Sequence, residues 1–369
     1  MNPVHGDDKP TDLKILILGG TGFIGPETIE AALSRGAQVT TFNRGKSNPE
    51  LFAKKGWKVE ELRGDRDPKQ GDGLKALEDA VKSGRTWDAV IDNSAYVPRI
   101  ARASAEVLKP AAKQYIFVST ISVYPEITGE VDEDAPVGKL ADPADEKLTN
   151  ETYGPLKALC EQAVRDVYGD RATIVRPGLI VGPGDPTDRF SYWPVRLSRG
   201  GKVIMPATKD PWKSFAQWID VRDLGEWLVR LAADGHGGTY NALGPNGPMT
   251  FDEFLFGIRG ATNANVQWVP IDEKFLLEQG VSPWMGLPLW IPQDESGVGG
   301  TRMKNDRAMA HGLTFRPIAD TARDTTAWFA KARPADFDFG QVGKRGPGPG
   351  LSREKEAAVI AAWEARPKQ

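Results

Sequence analysis

The chain has 369 residues, 47 basic and 50 acidic side chains, and a formal net charge of -3 at pH 7. That length buries a full core in one large domain or two coupled ones, and the balanced charge offers no general attraction to nucleic acid or anionic lipid. With Cys160 the single cysteine, an intrachain disulfide is excluded and a cysteine-based metal site is not expected.

Other exclusions follow from the pattern. No apolar run approaches the roughly 20 residues that cross a bilayer, so no membrane segment is expected. The histidines His5, His236 and His311 are far apart in sequence and lack metal-ligand spacing, so no metal is expected. Residues 1–12 are polar, carry Pro3 and Pro10, and read as a flexible arm with no secretory signal. A cytoplasmic location is the default expectation, although an exported form whose leader has been removed leaves the same sequence.

From Lys14 onward, short runs rich in β-branched residues alternate with helical patterns, the signature of a parallel sheet covered on both faces. The expected strands are Lys14–Leu18, Gln38–Asn43, Val59–Arg63, Ala89–Asp92, Gln114–Ser119 and Ala172–Arg176. The expected helices are Gly25–Arg35, Leu74–Gly84, Pro98–Leu108 and Gly154–Tyr168. These six strands and their crossovers predict an α/β fold with a doubly wound parallel (Rossmann) sheet and a smaller C-terminal substrate-binding part.

The first strand runs into Gly19-Gly20-Thr21-Gly22-Phe23-Ile24-Gly25 and then a helix, the context a phosphate-binding turn requires. Gly19 permits the tight turn, Gly22 lets backbone approach a pyrophosphate, and Gly25 lets helix pack on strand. The helix N-terminus offers free N–H groups to the phosphates. After the second strand, Asn43-Arg44-Gly45-Lys46 has no carboxylate for ribose hydroxyls, and its arginine and lysine suit a 2′-phosphate. NADP is the expected cofactor, with NAD as the alternative.

This turn resembles the fingerprint of the extended short-chain dehydrogenase/reductase superfamily, the epimerase and dehydratase relatives. The resemblance implies that Asp65 lies near the adenine and that Asn93-Ser94-Ala95 forms a cofactor-side turn. It also implies that Pro177, Leu179 and Ile180 belong to a loop beside the nicotinamide, with Phe23 and Ile24 contributing at the glycine turn.

Tyr153-Gly154-Pro155-Leu156-Lys157 places a phenol and an ammonium four residues apart, on one face of a helix. An adjacent cation favours the phenolate, which can take a proton from an alcohol or return it to a ketone. The preceding strand ends in Phe117-Val118-Ser119-Thr120-Ile121-Ser122-Val123-Tyr124, resembling the superfamily's strand end. Counting back from Val123-Tyr124 puts the substrate-polarising hydroxyl at Thr120, with Ser122 the alternative, and completes a triad with Tyr153 and Lys157. Ser119 is read as satisfying backbone groups.

Beyond Pro177 glycine, proline and tryptophan become frequent. Residues 13–181, with 215–243 returning to them, form the expected dinucleotide-binding domain. Residues 182–214 and 244–332 form the substrate part, and 333–369 a linker and a helix started by Ser352. Within 215–243, Gln217–Val221 reads as a strand and Arg222–Ala233 as a helix. Arg189, Arg302 and Arg307 are candidates to hold a substrate diphosphate, and Trp193 or Trp284 to stack on a sugar or base.

The expected activity is hydride transfer at a carbinol or carbonyl carbon of a sugar-like or other polar small molecule. An epimerase cycle and reduction of a non-sugar carbonyl both remain open. A dehydratase is disfavoured, because Ile121-Ser122 stand where such relatives carry Asp-Glu. A homodimer is left open, and no nucleic-acid partner is expected. The alternative of another class is RNA binding on the same scaffold, because Thr41-Phe42-Asn43-Arg44-Gly45 looks similar to chloroplast stem-loop RNA-binding relatives.

Overall fold

The computed structural model describes residues 12–125, 127–293, 300–343 and 346–367. Most of the expected N-terminal arm, His5 and the Lys344-Arg345 step of the expected linker lie outside the described residues.

The central sheet begins with β1 (Lys14–Leu18), β2 (Gln38–Asn43), β3 (Glu60–Arg63), β4 (Trp87–Asp92) and β5 (Ala112–Val118). Its crossovers include α1 (Ile24–Ser34), α2 (Leu51–Lys55), α3 (Lys75–Lys82), α4 (Pro98–Leu108) and α5 (Asn150–Tyr168). Further along come β6 (Glu130–Val131), β7 (Ala172–Pro177), β8 (Leu179–Val181), β9 (Gly201–Ala207), β10 (Trp218–Asp220) and β11 (Gly238–Ala242). The sheet order is β11-β7-β5-β4-β1-β2-β3, and all its pairings are parallel. Ile15, Leu16, Ile17 and Leu18 are fully buried because both faces of β1 are covered, one by α1 and its neighbours and the other by α4 and α5.

Two expectations change here. The sheet has seven strands rather than six, and the seventh is β11, the short Gly238–Ala242. The expected strand at Gln217–Val221 is β10, but it pairs with β8 in a separate two-stranded ladder. Asp220 ends β10 and its carboxylate caps the following helix by accepting from the Arg222 N–H.

The tryptophan-rich part packs into its own apolar cluster around Phe190, Trp193, Phe251, Phe254 and Trp290. Each ring is essentially out of water, worth roughly 1.5–3 kcal/mol for a fully buried side chain. The indole N–H groups are satisfied there: Trp193 donates to Pro288 O at 2.6 Å and Trp290 to Glu273 Oε1 at 2.8 Å. The helix Arg353–Glu364, capped by Ser352, adds Val359 and Ile360 to this cluster. Its Glu356 is buried against Arg196 at 2.5 Å.

Candidate active site

The order of the sheet reverses between β1 and β4, and open α/β sheets place their ligands at the carboxyl ends of the strands at this point. There Asn93 N donates to Leu18 O at 3.1 Å. Gly19 turns with φ +89°, and a Cβ on it would stand 2.8 Å from Ser94 Cβ. A Cβ on Gly25 would meet the Gly20 carbonyl carbon at 2.4 Å, so α1 approaches the strand exit through a glycine. At Gly22 a Cβ would meet nothing within 4 Å. The Phe23 cap position of α1 has no side-chain hydrogen bond, which leaves the first N–H groups free to face a ligand.

These residues open onto a groove of about 580 Å³ lined by Gly19, Gly22, Phe23, Ile24, Gly25, Asn43, Arg44, Asp65, Asn93 and Ser94. Asn43 is turned away from solvent; its Oδ1 accepts from Gly45 N at 2.8 Å and Arg63 Nη1 at 2.6 Å. Arg44 is exposed, with Asp65 at 3.9 Å.

A second cavity of about 310 Å³ adjoins the groove and shares Phe23, Ile24, Asn93 and Tyr96 with it. Thr120, Tyr153, Lys157, Pro177, Leu179 and Ile180 all line it. Ala95 lines neither cavity: its side chain is fully buried, and its carbonyl accepts from Lys157 Nζ. Gly154 lets the site close, because a Cβ on it would lie 1.9 Å from Ser122 O. Helix α5 therefore seats Tyr153 directly against the turn carrying Thr120. The Thr120 hydroxyl accepts from Ser122 N at 3.1 Å, so Thr120 also caps the single turn Ile121–Val123.

Burial pushes the Tyr153 hydroxyl above the ordinary tyrosine range, while the neighbouring Thr120 hydroxyl and Arg189 act in the opposite sense. Lys157 is nine-tenths and more buried, and its ammonium donates to Ala95 O and Val118 O, both at 2.8 Å. It also sits 4.1 Å from the centre of the Phe117 ring. Two of its three protons are thus committed to backbone carbonyls in the cavity that also holds the phenol. Burial lowers its pKa to about 8.

A lysine whose native value lies below its unfolded value of about 10.4 weakens the fold while charged. The site without ligand therefore gains stability as pH rises from about 8 toward 10.4, and loses it again as pH falls. Lys157→Met is expected to remove that increment, and denaturation midpoints of both proteins across this window check it.

Beneath the site, Glu161 joins three elements. Its carboxylate accepts from Ser119 Oγ at 2.6 Å and from Arg176 Nε and Nη2 at 2.9 and 2.7 Å, and Arg176 Nη1 donates to the Tyr124 hydroxyl at 2.9 Å. The Ser119 hydroxyl is thus bonded to this carboxylate rather than to the backbone groups expected for it. Cys160, on the same helix, is fully buried, and burial raises its thiol to about 12, which fits an inert side chain.

Several functional candidates move. Trp193 is fully buried and cannot reach a ligand, whereas Trp284 lines the 310 Å³ cavity. Of the three candidate diphosphate arginines, only Arg189 lines it. Arg302 pairs with Glu130 at 2.9 Å, and Arg307 bonds Asp134 and lies 3.5 Å from Glu133. His236 and His311, distant in sequence, have ring centres 5.4 Å apart; among the described residues no group of acidic, His or Cys side chains could hold a metal.

The sequence reading missed Arg66 and Tyr96. Arg66 lines the groove and binds Asp92 through Nη1 and Nη2 at 2.7 and 2.8 Å. The charged Asp92, directly after the fully buried Ala89-Val90-Ile91 run of β4, signals the need for such a partner. Tyr96 packs against Tyr153 with ring centres 6.3 Å apart and planes tilted by 37°, directly after the Asn93-Ser94-Ala95 turn.

Residues 15–242 match the model of the NAD dependent epimerase/dehydratase family. The bovine epimerase family protein SDR39U1 is 28% identical over 253 residues, covering 66% of this chain and 78% of that protein. The Arabidopsis thaliana chloroplast stem-loop binding protein of 41 kDa b is 32% identical over 207 residues, or 53% of this chain and 50% of that one. Among solved structures, a putative epimerase from Burkholderia cenocepacia superposes with TM-score 0.60 at 19% identity, covering 87% of this chain and 99% of the other. UDP-glucuronic acid 4-epimerase from Bacillus cereus, solved with NAD, gives 0.59 at 15% identity over 87% and 100%. At these identities the superpositions show the shared fold. No helix among the described residues is long and apolar enough to cross a membrane.

Proposed function

Because this chain belongs to the NAD dependent epimerase/dehydratase family, we propose that it is a nicotinamide-dependent enzyme of the extended short-chain dehydrogenase/reductase type. It acts at a carbinol or carbonyl carbon of a polar small molecule. The observation that carries the reading is the continuity of the two cavities through Asn93. Both polar side-chain atoms of Asn93 are enclosed and lack a partner, at the place where a dinucleotide would pass from groove to catalytic cavity. The open space at Gly22 and the uncapped start of α1 suit a pyrophosphate.

When bound, the dinucleotide supplies hydride exchange with the substrate carbon. Tyr153 holds the proton at its phenolic oxygen: it takes the alcohol proton during oxidation and returns one to the carbonyl oxygen during reduction. Thr120 shares the cavity with Tyr153, lies close enough to act on its hydroxyl, and can bond the same substrate oxygen. Lys157 holds Ala95 and Val118 together, fixing the wall between groove and cavity. Pro177, Leu179 and Ile180 close the far side.

An exposed Arg44 on the groove, beside Lys46, supports a 2′-phosphate there and so NADP over NAD. Hydrogen bonds to charged groups are worth about 1.5–3 kcal/mol; Arg44→Ser is therefore expected to weaken NADPH binding by roughly 10- to 100-fold and to leave NADH binding unchanged. Equal losses for both nucleotides would remove the preference. The absorbance and mass of any nucleotide released from the purified protein separate the two chemical outcomes: retained cofactor supports an epimerase cycle, and an empty site a reductase.

A second reading, RNA binding on the same scaffold, is favoured by the similarity to the chloroplast stem-loop binding protein. It requires affinity for a stem-loop RNA that falls steeply with salt. The balanced charge of the chain argues against it, and a flat salt response in a filter-binding assay eliminates it.

A further inference from the structure

We infer that Arg189 is the substrate's anion clamp and that the substrate is a compact hydroxy acid, a sugar acid in size and polarity, bound by its carboxylate. This rests on the enzymatic reading above and gives that reading a substrate class.

Arg189 follows the loop after β8 and lines the catalytic cavity together with Tyr153 and Trp284. Its Nε donates to Thr187 Oγ1 at 3.1 Å, and no ion pair or hydrogen bond engages its two terminal nitrogens among the described residues. A half-buried guanidinium with its planar fork unused is matched to a carboxylate, which takes two parallel N–H bonds.

The fork is also held in place. Asp185, 1% exposed, accepts through Oδ1 from Thr187 N at 2.8 Å and from Thr187 Oγ1 at 2.7 Å. That bond directs the Thr187 hydroxyl proton to Asp185 and leaves its oxygen to accept from Arg189 Nε. Asp185 Oδ2 has no partner, and burial raises the acid, against the pull of Thr187 and Arg189. Leaving a buried carboxylate oxygen unpaired is costly, and a substrate hydroxyl delivered beside Arg189 would relieve that cost. Asp185 and Thr187 are positioning residues in this account.

Size and charge count against a nucleotide diphosphate in the same cavity. The volume of about 310 Å³ sits at the low end of the roughly 300–1,000 Å³ of ligand sites, and a bound nicotinamide would take part of it. The only cations lining it among the described residues are Arg189 and Lys157, and Lys157 is committed to two carbonyls. Arg302 and Arg307, which a diphosphate would need, are paired elsewhere.

The test is calorimetric titration of the full chain, saturated with NADP⁺, with D-glucuronate, D-galacturonate and D-gluconate, and with D-glucose and UDP-glucose for comparison. At least one sugar acid is expected to bind more tightly than D-glucose. Arg189→Gln is expected to weaken that acid by about 10- to 100-fold, and Thr187→Val by a few-fold, with neither variant altering NADP⁺ affinity. The inference is overturned if no sugar acid binds, if acid and neutral sugar bind alike, if UDP-glucose binds best, or if Arg189→Gln leaves acid affinity intact. The wild-type acid-to-neutral comparison decides even where a variant fails to fold. Absence of NADP⁺ and NAD⁺ binding in the first place is a different failure, that of the enzymatic reading itself.

Discussion

Tyr153→Phe is expected to lower turnover by about 10²- to 10⁴-fold, the usual contribution of a positioned acid–base group, while leaving dinucleotide affinity unchanged. The ring keeps its tilted contact with Tyr96 and the helix keeps its seat on Ser122 through Gly154, so the variant removes one oxygen and little else. Loss in kcat with KM nearly constant is the signature of a group that acts in the transition state. Retained turnover at the wild-type level would show that the proton is handled elsewhere.

The second large effect concerns stability. Asp92→Asn is expected to cost about 3–5 kcal/mol, the usual penalty for breaking a buried pair from one side, and to lower the melting temperature by roughly 6–20 °C at about 2–4 °C per kcal/mol. Asp92 is fully buried and receives two bonds from Arg66 and one from the Tyr115 hydroxyl at 2.7 Å. Burial alone would raise this carboxyl; Arg66, through its charge and hydrogen bonds, together with Tyr115 and Ser94, holds it below the usual range. A carboxylate with a lowered native value contributes stability that is fully present above the unfolded aspartate value of about 3.9. That contribution is lost as pH falls through the native value. Wild type is therefore expected to lose stability below about pH 4 by more than Asp92→Asn does, and thermal melts of both proteins from pH 6 downward measure the difference. Because Arg66 lines the groove proposed for the dinucleotide, nucleotide affinity is expected to fall as well.

Local chemistry made much of this legible in the sequence. The run Ile15 to Gly25 carries strand, turn and helix start within eleven consecutive positions, so its geometry depends on nearby atoms. Thr120 and Tyr153 end up in one cavity because β5 delivers the first and the start of α5 the second, and strand–helix order is readable from periodicity. Long-range pairings were not readable. Arg66 meets Asp92 across 26 positions, and the sequence marks only that Asp92 needs some partner. β11 is five residues of Gly-Thr-Tyr-Asn-Ala behind two glycines, too short and polar to stand out until it pairs with β7. Composition marks the tryptophan-rich stretch after Pro177 as a substrate part with Trp193 or Trp284 as ligand-stacking candidates, yet Trp193, Trp227 and Trp290 fill cores. Arg302 and Arg307 carried charge suitable for a phosphate, but the strand pairing of Arg302–Met303 with β6 sets Arg302 against Glu130.

The central claim is that a dinucleotide lies over the glycine turn, and Gly22 isolates it. A Cβ there meets no atom within 4 Å and its backbone lies outside the positive-φ region, so Gly22→Val leaves the fold intact while filling the space a pyrophosphate needs. Titration of NADPH by its fluorescence into wild type and Gly22→Val, with melting curves of both, is the direct measurement. Saturable binding to wild type, an unchanged melt and at least about tenfold weaker binding to the variant are expected; equal binding to both proteins, or binding of neither NADPH nor NADH to wild type, contradicts the claim.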